Sequence, residues 1–100
     1  MNRVTCCDFE DFLKAMADET RQRILSLLQA GEMSERDIVA QLDLTQPTIS
    51  HHLSLLRRAN LVTTRREGKF VFYHANPACV TECCGEILSR FNIRWQQARH

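Results

Sequence analysis

Five cysteines stand out in this chain of 100 residues: Cys6 and Cys7 side by side near the start, then Cys79, Cys83 and Cys84 towards the end. Complete intramolecular pairing is impossible for an odd number. Residues 1–8 hold no apolar stretch of the kind a secretory leader needs. No apolar run approaches the roughly 18–20 residues of a membrane span. The chain therefore reads as cytoplasmic with no membrane partner, in a compartment that keeps thiols reduced. Ligation of a metal or metalloid, or redox sensing, explains the thiols better than a disulfide framework. Cys79 and Cys83 are four apart and share a helix face. Cys84 lies one position round, so the three sulfurs can converge with some side-chain rotation. Thiolates select soft ions: As(III) and Sb(III) favour three thiolates in a pyramid, and Cd(II), Pb(II) and Hg(II) also accept sulfur-rich sites. A single cysteine is more simply a small buried hydrophobe, but two vicinal pairs and a fifth thiol nearby favour a ligand or sensor role. No organic cofactor is implied.

The second chemical signal is polar and basic. Net charge is only +1, yet residues 1–44 hold five basic and nine acidic side chains. Residues 45–75 reverse this with Arg57, Arg58, Arg65, Arg66 and Lys69 against Glu67 alone. A basic middle third suits a polyanion. Within it, Gln46, Thr48, Ser50 and His51 gather near the start of a helical pattern. A helix N-terminus carries partial positive charge and unsatisfied N–H groups suited to phosphate. Short polar side chains there can reach base edges, glutamine pairing with adenine and threonine meeting the thymine methyl. Arg65, Arg66 and Lys69 surround a turn and suit the DNA backbone. His51 has no nucleophile or orienting acid beside it, which argues against catalysis. His52, near the inward boundary, reads as a satisfied, partly buried histidine.

The elements that must position these groups follow from periodicity. Phe9, Phe12, Leu13 and Met16 mark a first helix from about Asp8 to Ala17, with Asp8 as its cap. Asp18-Glu19-Thr20 opens a second, striped by Ile24, Leu25, Leu27 and Leu28 and ended by Gly31. Ser34 caps a short third helix, with Glu35 and Asp37 in its first turn. Thr45 caps a fourth, with Pro47 in its first turn and Ile49, Leu53 and Leu56 facing inward. Val62–Thr64 and Phe70–Tyr73 read as strands of a hairpin, with Arg66–Lys69 between them and Gly68 in a turn position. Pro77 starts a last helix that carries Val80, Ile87, Leu88, Phe91 and Trp95. Two short helices joined by a turn and followed by a hairpin suggest a helix-turn-helix with a wing.

At these residues the chain resembles the ArsR/SmtB repressors. Ala17-Asp18-Glu19-Thr20-Arg21-Gln22-Arg23-Ile24-Leu25 is similar to their entry into the second helix. Thr45–Leu53 with Leu55–Val62 is similar to their recognition helix and its exit, and Arg65–Lys69 with Tyr73 to their wing. The resemblance spans about residues 9–75. Asn60 stands where the family usually has glycine, and asparagine tolerates the same left-handed backbone. The resemblance implies a homodimer whose first and last helices form the interface, and an operator-bound form that leaves DNA when an ion binds. The family's arsenic-binding Cys-x-Cys positions are here Ser34 and Arg36, its recognition-helix cysteines are missing, and no histidine lies between Pro77 and Trp95 for its zinc pattern. Because the family pairs first and last helices across the dimer, Cys6 and Cys7 can lie near the last-helix cluster.

The expected protein is mainly α (α+β): a winged helix-turn-helix with flanking N- and C-terminal dimerisation helices. Residues 1–100 form one DNA-binding and sensor domain. It is expected to be a homodimeric repressor of double-stranded operator DNA, released by As(III), Sb(III) or a related soft ion. One alternative keeps the fold and makes the thiols a redox or persulfide switch. Another is a thiol enzyme or metal carrier, disfavoured because no base and orienting group accompany the thiols.

Overall fold

The computed structural model describes Cys6 and residues 8–91; Cys7 and Trp95 lie outside the described residues. Four helices precede the hairpin, and each begins at a short polar residue. Asp8 accepts from the Glu10 and Asp11 amides at 2.8 and 3.4 Å, opening α1 (Phe9–Met16). Asp18 accepts from Arg21 N at 3.0 Å and opens α2 (Glu19–Gln29). Ser34 Oγ accepts from Asp37 N at 3.1 Å and opens α3 (Glu35–Leu42). Thr45 accepts from Thr48 N at 3.4 Å and opens α4 (Gln46–Arg58), with Pro47 in its first turn. Each cap satisfies amides that the helix cannot. Asp43 turns the chain between α3 and α4 at φ 55°.

The exit from α4 is a Schellman motif. Leu61 N donates to Leu56 O and Asn60 N to Arg57 O, both at 2.9 Å. Asn60 holds φ 60°, the left-handed position that such an ending requires. Leu56 and Leu61, which flank the motif, are both fully buried.

The hairpin follows as β2 (Val62–Glu67) and β3 (Phe70–Ala75), antiparallel with Glu67 opposite Phe70. Both strands run further than their apolar stretches suggest, so the turn contains only Gly68 and Lys69. Gly68 supplies the positive φ, 63°, that a two-residue connection needs. A third strand, β1 (Met33–Ser34), pairs with Tyr73 and Phe72 of β3, giving the order β1-β3-β2. Two residues are too few to show alternation, and this strand was not expected.

The core lies where α2, α3 and α4 meet the base of the wing, around Ile24, Ile38, Ile49, Leu53, Leu56 and Leu61. α5 (Pro77–Arg90) follows the wing. Its inward face is Cys79, Cys83 and Glu86, spaced four and three apart as a helical stripe requires. Arg90 Nε meets the Glu86 carboxylate at 2.7 Å, and the guanidinium sits 4.3 Å over the Phe9 ring. Among the described residues no helix is long and apolar enough to cross a membrane.

Candidate nucleic-acid interface and thiol centre

Gln46, Thr48, Ser50 and His51 are all exposed at the start of α4, as that helix's buried stripe of Ile49, Leu53 and Leu56 dictates. They are not equally independent. Thr48 Oγ1 lies 2.8 Å from Thr45 Oγ1. Gln46 Nε2 donates to Glu35 Oε2 at 2.8 Å, and the Ser50 hydroxyl donates to the same oxygen. The other Glu35 oxygen accepts from Tyr73 Oη at 3.2 Å. One carboxylate at the start of α3 thus ties together α4 and β3. Along the sequence Glu35 is legible only as an acid suited to a helix N-terminus. Its partners are 11, 15 and 38 residues away, beyond the reach of local spacing.

Arg21 seats α4 against the first two helices. Its Nε and Nη2 donate to the Ala15 and Lys14 carbonyls at 2.7 and 3.0 Å in the last turn of α1, where Lys14 O also accepts from Ala17 N at 3.3 Å. Its Nη1 donates to His52 Nδ1 at 3.1 Å. The imidazole accepts here, so its proton sits on Nε2. Asp18 lies 3.9 Å from the same nitrogen and favours a charged ring. Desolvation outweighs it, with Arg21 and His51 adding repulsion, and holds the His52 pKa below its ordinary 6.5. The satisfied, partly buried histidine expected at this position is what the fold contains.

The wing residues divide. Arg65 meets Glu32 through two nitrogens, meets Glu67 at 3.0 Å, and lies 4.8 Å from the Phe72 ring centre. Hydrogen bonds from Glu32 and then Glu67 push its pKa upward, so it is a firmly charged clasp between the strands. His74 Nε2 joins the same Glu32 at 3.1 Å. Arg66 and Lys69 are exposed, with no ion pair to a described residue. Arg66 and Lys69 remain available to a polyanion; Arg65 is already engaged.

The thiols also divide. Cys6, Cys79 and Cys83 bring their sulfurs within 4.8 Å of one another. Cys6 and Cys79 are joined as a disulfide, with Cα atoms 5.8 Å apart. Cys83 Sγ lies 3.9 Å from Cys79 Sγ. Cys79 and Cys83 are 1% and 0% exposed, whereas Cys84 is exposed. One residue along a helix turns the side chain by about 100°, which carries Cys84 off the buried face. Within one chain, Cys84 does not join the cluster, and Cys6 takes the third place. The centre abuts the end of α4: Cys79 Sγ is 3.9 Å from Ala59 O, and Asn60 Nδ2 donates to Cys6 O at 2.9 Å.

A helix-turn-helix with an exposed polar N-terminus on its second helix and a basic β-wing defines a winged-helix DNA-binding regulator. Residues 18–64 match the model of the arsR family of bacterial regulatory proteins. The transcriptional repressor SdpR of Bacillus subtilis (strain 168) is 35% identical over 79 residues, covering 79% of this chain and 88% of that protein. An arsenical resistance operon repressor of Staphylococcus aureus is 35% identical over 86 residues, covering 86% and 79%. A crystal structure of a possible transcriptional regulator for arsenical resistance superposes with a TM-score of 0.74 at 32% identity, covering 84% and 86%. The chain belongs to the arsR family and is a DNA-binding transcriptional repressor with the winged helix-turn-helix fold.

Proposed function

We propose that this repressor binds operator DNA as a homodimer and leaves it when As(III) or Sb(III) is captured by the thiolates of Cys6, Cys79 and Cys83. The carrying observation is the all-sulfur cluster lying directly beneath the end of α4. Three soft donors and no carboxylate or imidazole suit a thiophilic ion. The Cys6–Cys79 disulfide first opens by exchange with two molecules of a small thiol, which leave as their own disulfide; capture by the reduced protein then balances as arsenous acid plus three thiols giving the tris-thiolate and three waters. Cd(II), Pb(II) and Hg(II) are the next ions for such a donor set. The two relatives concerned with arsenical resistance support this choice.

On the DNA side, Gln46, Thr48, Ser50 and His51 face the major groove, while Arg66 and Lys69 meet phosphates. Arg65 keeps the wing in shape. Residues 1–100 act as one unit for DNA binding and sensing. Exposed Leu13 on α1 and Phe91 at the end of α5 provide apolar surface for pairing two protomers.

The Cys6–Cys79 disulfide favours a second reading, a redox switch. Hydrogen peroxide would accept the two electrons, two thiols and one peroxide giving one disulfide and two waters. One experiment separates the readings. Reduced full-length protein is bound to fluorescent DNA carrying its own upstream region, then titrated in parallel with As(III), Sb(III), Cd(II), Pb(II), Hg(II), Zn(II) and peroxide. Release by As(III) or Sb(III) at stoichiometric amounts supports the first reading. Release by Cd(II), Pb(II) or Hg(II) alone keeps the thiol centre and changes its ion, release by peroxide alone supports the second reading, and release by none of these removes the thiol sensor altogether.

A further inference from the structure

The Glu35 carboxylate receives three hydrogen bonds, from Gln46, Ser50 and Tyr73. We propose that Glu35 determines operator specificity by fixing which hydrogen-bonding atoms α4 offers to the major groove. This rests on Gln46 and Ser50 being base-facing residues.

An ionised carboxylate only accepts hydrogen bonds. Gln46 must therefore turn its amide nitrogen towards Glu35, spending one N–H there. Its Oε1 and second N–H remain for a base. Ser50 spends its only hydroxyl proton on Glu35, so its oxygen is left purely as an acceptor. Without Glu35 the glutamine amide can flip and the serine can donate. With it, the helix presents two fixed acceptors and one donor. Adenine matches the Gln46 pair through N6 and N7, and the exocyclic amino group of adenine or cytosine matches Ser50. Guanine O6 and N7 and thymine O4, acceptors all, find no donor at Ser50.

The carboxylate is itself held in place. Tyr73 is buried, with 7% of its surface exposed, and its hydroxyl takes the second oxygen of Glu35. Ser34, the preceding residue, is pinned both as the cap of α3 and in the β1–β3 pairing. Glu35 thus works from a rigid corner, which is what a positioning group needs. Its negative charge near the DNA face also opposes indiscriminate phosphate binding.

The test uses the reduced full-length protein and its Glu35→Gln, Tyr73→Phe, Gln46→Ala and Ser50→Ala variants. Each is presented with a pool of random duplexes, and the enriched sequences and affinities for selected and random DNA are measured. For Glu35→Gln we expect relaxed base preference at one or two positions per half-site. The ratio of selected to random affinity should fall on the order of tenfold, with random-DNA affinity equal or higher. Tyr73→Phe should relax the same positions less. If Glu35→Gln does not fold, by circular dichroism, the Tyr73→Phe profile decides. Unchanged preference, or equal loss on selected and random DNA, overturns the proposal. If Gln46→Ala and Ser50→Ala also keep full specificity, the reading of those two as base contacts falls with it. If they lose specificity while Glu35→Gln keeps it, only the role of Glu35 falls.

Discussion

Asn60 Nδ2 donates to the carbonyl oxygen of Cys6 across 2.9 Å, joining the residue that ends the recognition helix to one that builds the thiol centre. Asn76 Nδ2 in turn donates to Asn60 O at 2.9 Å, one residue before α5 begins. The Cys6 segment, the end of α4 and the start of α5 therefore meet at one asparagine. Asn60→Gly keeps the left-handed backbone and removes only the side-chain bond. It should bind operator normally when reduced but respond less to As(III). The lost coupling should be about 0.5–1.5 kcal/mol, the net worth of one hydrogen bond, out of a typical allosteric total of about 1–3 kcal/mol. Operator titrations with and without the ion measure it. Equal coupling in both proteins would show that the bond carries no signal.

Serine replacements test the membership of the site. Cys6→Ser, Cys79→Ser and Cys83→Ser should each retain operator binding and lose release by As(III), whereas Cys84→Ser should keep both. The opposite pattern, with Cys84 required and Cys6 dispensable, would place the ion on α5 alone and contradict the cluster beneath α4.

Salt dependence separates the wing cations. Arg66→Ala and Lys69→Ala should each reduce the slope of log affinity against log salt by about one unit. Arg65→Ala should change the slope less and lower the melting temperature more, because it leaves Glu32 and Glu67 without their shared partner. A full unit lost on replacing Arg65 would mean that it exchanges its carboxylates for phosphate in the complex.

His52 makes stability depend on pH. Its folded pKa lies below the unfolded 6.5, chiefly through desolvation. Between those two values the unfolded chain binds a proton that the folded one refuses, so unfolding gains. The contribution is whole above pH 6.5 and is lost as pH falls through the folded pKa. Urea midpoints at pH 7.5 and 5.5, at equal protein concentration, should therefore drop. His52→Gln, whose carbonyl can still accept from Arg21, should drop less. An identical fall in both proteins would assign the effect to other groups.

Glu35, Asn60 and the cysteines show which kinds of order are legible along a chain. Asp8, Asp18, Ser34 and Thr45 were readable as helix starts because a cap bonds an amide two or three residues ahead. Gly68 and Asn60 were readable as turning points because few residues accept a positive φ. The core stripes of α2 and α4 followed from helical periodicity. Those local rules, with the motifs of the recognition helix and wing, determined the fold class and the polar face of α4. What only the tertiary structure decided is non-local. It brought Cys6 to Cys79 across 73 positions and turned Cys84 out to solvent. It engaged Arg65 with Glu32 across 33 positions and closed Glu35 over two side chains of α4. Contacts of that kind depend on how helices pack and in which direction each side chain leaves its backbone, and spacing along the chain encodes neither.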